Sequence, residues 1–360
     1  MRNIIVILLL LIAGIVGKRY FLLSPIYEDK NLSESIYIVK PKQHRYLVRD
    51  MRYRFTINSI TAQIPYASNM MLHEKHTDVT RLILAIHSTS YNPDTYLNNS
   101  LSLLGNDTVL NRETLIIAPA FYRKDKSNLS DIVTWRVSPF WGSSQALYKG
   151  KKITLSAYEI LDDILTYIIT SKRFPNLSDI VILGHSAGGQ LVNRYAASNF
   201  IEETIALKHG ISMRYLVMAP SSYIYFNGER VRRGTYDEFI FPFGANKKYN
   251  DWGYGLEHLY SYHKRHGITA ESIRFQYKYR KVLYLVGEKD TKDFALDKST
   301  SAMRQGSNRL ERLKVYFNYL KHYYGKAITK YQSIAVVSNV GHSGKALMHS
   351  KEGRRFILGF

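Results

Sequence analysis

The chain has 360 residues, enough for one large domain or two, and its 45% hydrophobic and 22% charged residues are ordinary for a globular protein. It has no cysteine, which excludes disulfides, cysteine-ligated metals and a thiol nucleophile. Lys and Arg number 50 against 29 Asp and Glu, a formal charge of +21 that favours an anionic neighbour such as a membrane surface. The basic residues are scattered and accompany no nucleic-acid motif, so no nucleic-acid partner is expected.

Met1-Arg2-Asn3 leads into an unbroken apolar run from Ile4 to Val16, closed by Gly17-Lys18-Arg19. A short basic start before such a run describes a signal peptide, and the run is shorter than the ~20 residues that span a bilayer. No small-x-small cleavage site follows, because Leu11 stands two before Ala13 and Ile15 two before Gly17. Residues 1–23 are therefore read as a signal peptide or a retained membrane anchor. Both imply export, to the periplasm, the membrane surface or the medium. Residues 24–50 read as a polar linker, and residues 51–360 as one domain.

Tyr53 to Ile57 alternates apolar and polar residues and predicts an early antiparallel strand. Continuous apolar runs follow at Arg81–Ile86, Thr114–Ala118, Asp179–Leu183, Met213–Ala219, Lys281–Val286 and Ser333–Val337, typical of strands buried on both faces. Amphipathic stretches between them, such as Tyr158 to Ser171 and Arg309 to Tyr324, predict helices. Strands alternating with helices predict an α/β fold: a mostly parallel sheet with helices on both faces.

The run Asp179–Leu183 breaks at Gly184-His185-Ser186-Ala187-Gly188-Gly189, and helix-compatible residues follow from Gln190. Strand, tight turn and helix around G-x-S-x-G make a nucleophile elbow, in which glycines flank the serine because a Cβ there would crowd strand and helix. On this motif and its context the chain resembles the α/β-hydrolase superfamily over roughly residues 50–360. The resemblance implies a serine, an acid and a histidine in that order, each on a loop after a different strand.

Carried over residue by residue, the nucleophile is Ser186 and the base is His342, in Val340-Gly341-His342-Ser343-Gly344 after the last strand. The acid is Asp290, three residues after Gly287, with Asp293 and Asp297 on the same loop left open. The oxyanion hole implied by the family takes one N–H from Ala187 and one from Ser88 or Thr89, where relatives commonly carry His-Gly and this chain has His87-Ser88. His185 beside the nucleophile reads as structural. His87, Trp135 and Trp141 are candidate substrate-binding residues. Tyr223 to Tyr279, after the sixth strand, lies where cap domains of the family are inserted, so a cap over the site is expected.

The activity implied is hydrolysis of a small-molecule or lipid-like carboxylic ester through an acyl-enzyme. An acyltransferase with the same three residues, or a binding protein that kept the fold, are the alternatives. His73-Glu74-Lys75-His76 spaces its histidines three apart, which does not suit the two-histidine zinc motif and reads as surface; no metal is expected. No phosphate-binding or dinucleotide loop follows a strand, so no cofactor is expected. The sequence sets no oligomeric state.

Overall fold

The computed structural model describes residues 45–47, 51–244 and 247–359. The expectations for residues 1–23, and for nearly all of the linker, lie outside the described residues. None of the described helices is long and apolar enough to cross a membrane.

The chain enters the fold on two antiparallel strands, β1 (Arg52–Ile57) and β2 (Ile60–Ser68), followed by β3 (Arg81–Ile86) and β4 (Thr114–Pro119). A small second sheet comes next: β5 (Tyr122–Arg123), β6 (Val133–Trp135), β7 (Gln145–Tyr148) and β8 (Lys151–Thr154). Its β7–β8 hairpin turns through Lys149 and Gly150, both at positive φ (48° and 75°), the geometry that matches the twist of paired strands. The elbow strand β9 (Asp179–His185) and β10 (Ser212–Met218) follow. A short hairpin, β11 (Arg230–Val231) with β12 (Phe239–Ile240), precedes β13 (Val282–Gly287) and β14 (Gln332–Val337).

The main sheet has eight strands in the order β1-β2-β4-β3-β9-β10-β13-β14. It is parallel from β4 through β14, and β2 pairs antiparallel with both β1 and β4. The six apolar runs read from sequence are its six parallel strands. Strand β2 escaped that reading: Ile60-Thr61-Ala62-Gln63-Ile64-Pro65-Tyr66 mixes polar residues with a proline, and Pro65 is tolerated opposite Arg52 on the outer pair.

Helices α1 (Pro93–Leu104), α2 (Thr108–Glu113) and α3 (Ala157–Thr170) follow β3 and the small sheet. The elbow helix is α4 (Ala187–Ser198), then come α5 (Glu202–His209), α6 (Ser261–Arg265), α7 (Ala270–Tyr277) and α8 (Thr300–Met303). The long α9 (Arg309–Tyr324) and the C-terminal pair α10 (Gly344–His349) and α11 (Lys351–Leu358) complete the set. Helices α1, α10 and α11 pack together, with Arg354 donating to Leu103 O. On the other face α3, α4, α7 and α9 meet through Tyr158, Tyr195, Asn193, Tyr277 and Tyr316. Strands β3, β4, β9, β10 and β13 are buried between these two layers, the edge strands β1 and β14 are largely half-buried or exposed, and helix α4 is buried along its whole length.

The segment from Tyr223 to Tyr279 shares this core. Tyr223, Tyr225, Phe226, Trp252 and Tyr262 are all buried in it, and residues 41–360 form one compact unit. Arg194 of α4, itself fully buried, donates to Gly253 O and to Ser222 Oγ (2.9 Å), tying the segment to the elbow helix.

Candidate active site

Ser186 sits at the junction of β9 and α4 with φ 57° and ψ −118°, a region that non-glycine residues rarely adopt. Its N–H donates to Met218 O (2.9 Å) at the end of β10, which fixes the turn against the neighbouring strand. Three glycines make the turn this tight. A Cβ on Gly184 would strike the backbone of Gly188, one on Gly188 would strike the carbonyls of Ile86 and His87, and one on Gly189 would lie 2.7 Å from Met218 O. The serine is 8% exposed, held where two strand ends meet a helix N-terminus.

The loops after β13 and β14 are laced together. Glu288 N donates to Val337 O and Lys289 N to Val340 O (2.8 Å), while Asn339 N donates to Glu288 Oε2. Gly287 makes this crossing possible: a Cβ there would collide with the carbonyl oxygens of Val340 and Gly341. The result brings Asp290 Oδ2 to 2.7 Å from His342 Nδ1. Facing a carboxylate, Nδ1 is the donor of this bond, which leaves Nε2 as the ring nitrogen turned away from Asp290. Asp290 is 2% exposed and also has the buried Arg309 guanidinium 3.5 Å from Oδ1.

Of the three aspartates left open by sequence, only Asp290 bonds His342 among the described residues. Asp293 is exposed and pairs with Lys298, which holds its carboxyl below the ordinary value. Asp297 accepts from the Tyr254 hydroxyl (2.6 Å).

Ala187 is the first residue of α4, so its N–H is among the unpaired donors at the positive end of the helix. The contact of Gly188 with the Ile86 and His87 carbonyls sets the end of β3, and with it Ser88 and Thr89, against that first turn. His87 does not line a substrate surface. It is fully buried, its Nδ1 donates to Ser88 O (2.8 Å) and its Nε2 accepts from Phe121 N (2.8 Å). Burial pushes its pKa down to about 4, so it is a neutral strut holding the Ser88 loop to the end of β4.

Trp135 is likewise a correction to the sequence reading. It is fully buried, edge-on to Phe121, and its indole N–H donates to Leu155 O (3.0 Å), so no ligand reaches it. All three residues of β6 are buried, and a three-residue strand leaves no pattern in the sequence to show it. Trp141 is partly exposed; its indole donates to Gln190 Oε1 (3.0 Å), and the Arg194 guanidinium lies 5.2 Å from its ring centre.

Sequence reasoning missed Arg309 and Gln190. Neither carries a local signal, since each matters only through a loop brought to it by the fold. His185 is buried with its ring 4.3 Å from that of His342, and Gly344 leaves room for it. Burial and the neighbouring His342 and Arg309 push its pKa well down, so it packs as a neutral ring. At the surface, Asp251, Glu257 and His258 bring ligand-type atoms within 4.8 Å of one another, but His258 Nδ1 is engaged by Asp251 at 2.7 Å.

No family model matches the chain, and no curated protein matches it. Among solved structures, the poly(3-hydroxybutyrate) depolymerase LpqC from Bordetella parapertussis aligns with a TM-score of 0.57 and 17% identity, covering 86% of this chain and 90% of that one. Poly(aspartic acid) hydrolase-1 from Sphingomonas sp. KT-1 aligns with a TM-score of 0.55 and 15% identity, over 85% of this chain and 98% of the other. Taken with the eight-strand order and the strained serine between β9 and α4, these likenesses establish that the protein has the α/β-hydrolase fold.

Proposed function

We propose that the protein is a serine hydrolase that cleaves a carboxylic ester through an acyl-enzyme, with Ser186 as nucleophile, His342 as base and Asp290 as the acid that orients it. The observation that carries this reading is the 2.7 Å bond from His342 Nδ1 to the buried Asp290, on loops laced together after β13 and β14. A serine hydroxyl is a weak nucleophile at neutral pH and needs such a base. His342 Nε2 takes the Ser186 proton as Oγ bonds to the ester carbon, and the oxyanion receives the N–H of Ala187 and that of Ser88 or Thr89. The same Nε2 then protonates the leaving alcohol. Water, deprotonated by His342, attacks the acyl-enzyme and releases the acid and Ser186. The names of the two solved relatives, a depolymerase and a hydrolase, agree with hydrolysis.

The test is labelling by a fluorophosphonate probe. Wild type should label, and Ser186→Ala and His342→Ala should not. Folded wild type that stays unlabelled would remove the activated serine and leave a binding protein. The reading includes export, on the strength of the Ile4–Val16 run; recovery of the full chain from the cytosolic fraction of its host would overturn that part.

A further inference from the structure

A cavity of about 760 Å³ opens between the β7–β8 hairpin, the segment after β6, and the start of α6. It is lined by three cations from three separate elements: Arg136, Lys152 of β8 and Lys264 of α6. No Asp or Glu lines it, and none of the three cations has an ion-pair partner among the described residues. Like charges gathered round one concavity repel one another until an anion neutralises them. Beside them Trp141, Ile153 and Leu259 supply an apolar strip, and Ser144 contributes a buried hydroxyl with no hydrogen-bond partner. Cations with an apolar strip and an unpaired hydroxyl match an organic anion better than a bare one.

The cavity is tied to the elbow helix through one of its lining residues. Trp141 lines it and also donates to Gln190 Oε1. Gln190 stands four residues after Ser186 on the elbow helix, about 6 Å along the axis. Resting on the hydrolase reading above, we infer that this cavity binds the distal part of the substrate, and that the substrate is an ester carrying an anionic group, carboxylate or phosphate, several bonds from the scissile carbonyl. The apolar strip takes the intervening carbons and the three cations take the charge.

The test compares matched 4-nitrophenyl esters: the neutral butyrate, the hydrogen glutarate with a terminal carboxylate, and the 4-phosphonobutanoate with a terminal phosphonate. Wild type should favour the charged esters through a lower KM, and added salt should erode that preference by screening. The better of the two charged arms identifies the natural anion. In the triple variant Arg136→Gln/Lys152→Gln/Lys264→Gln, which keeps polar stems at exposed positions, the ratio of charged to neutral kcat/KM should fall about tenfold. An unchanged ratio would overturn the inference. If wild type turns over none of the esters, hydrolysis fails but the site is still decided. Monoethyl glutarate and ethyl 4-phosphonobutanoate are titrated into Ser186→Ala, with and without the three Gln substitutions, by isothermal calorimetry. Binding of either that is lost with the three Gln upholds the cavity; binding that survives them, or no binding to either protein, overturns it.

Discussion

Asp290 and Asp293 stand three residues apart, and the fold separates their chemistry completely. Asp290 is buried against His342 and Arg309, whereas Asp293 reaches solvent and a lysine. Asp290→Asn should leave the loop in place but turn an acceptor into a group that also donates, spoiling the imidazole tautomer. We expect a loss of about 10³–10⁴ in kcat on the best ester substrate. Asp293→Asn should change kcat less than about twofold, since its exposed carboxyl pairs with a lysine and bonds no residue of the proposed site. Equal losses in the two variants would reassign the acid. At this scale the tight turn at Ser186 was plain in the sequence, through the glycines that flank it. The partner of His342 was legible only to within one loop, because choosing among three aspartates needs the path of the Val340 loop. His87 and Trp135 were misread for a related reason: both residue types suit a pocket as well as a core, and only the approach of Phe121 and Leu155 decides.

The elements of the sheet were legible wherever the strand was continuously apolar, through burial on both faces in five of them and at the half-exposed edge strand β14 as well. They were not legible at β2, nor in the four short strands of the second sheet, whose two- to four-residue lengths leave no period to detect. Yet that second sheet frames the basic cavity, with Trp141 in the connection between β6 and β7. The segment Tyr223–Tyr279, where a cap is expected, is mixed: Tyr223, Tyr225, Phe226, Trp252 and Tyr262 are buried in the common core, whereas Phe241, Phe243 and Phe275 are exposed. Gly287 is where element packing decides function. Gly287→Ala should push the Val340 and Gly341 carbonyls outward, taking His342 with them. We expect about 1–3 kcal/mol of destabilisation by urea titration and a loss of at least about 10²-fold in activity, the cost of misplacing one reacting group by about 1 Å. Normal activity in that variant would show that the crossing is loose.

Across the whole molecule, buried titratable groups set an acid limit on stability. His87 and His263 are pushed by burial to about 4 and about 3, and His185 well below its ordinary value. In the unfolded chain all three take up a proton below about pH 6.5. Asp162 runs the other way: burial, against bonds from Tyr195 and Tyr262, raises its pKa to about 7. At pH 5 it is protonated when folded and ionised when unfolded. Three protons taken up less one released give a net uptake of about two on unfolding from these four groups. Their joint effect is a stability that rises with pH from about 5 to 6.5, by about 3 kcal/mol per unit near pH 5 and by about 1 near pH 6.5, where the unfolded histidines are half deprotonated. His263→Phe should lower the uptake at pH 5 by about one proton, measured by calorimetry in two buffers of different ionisation enthalpy. No change would mean that the native ring is already charged. None of this was legible from composition, because the twelve histidines look alike until burial sorts them.

The collision that any side chain at Gly287 would suffer also makes the stretch from β13 to His342 a single inheritable block. Homologous recombination that took residues 282–290 from one parent and 332–342 from another would join two halves whose backbones were never fitted to each other. Chimaeras with a crossover inside this block should therefore be recovered as folded, probe-reactive protein far less often than those with crossovers at its borders.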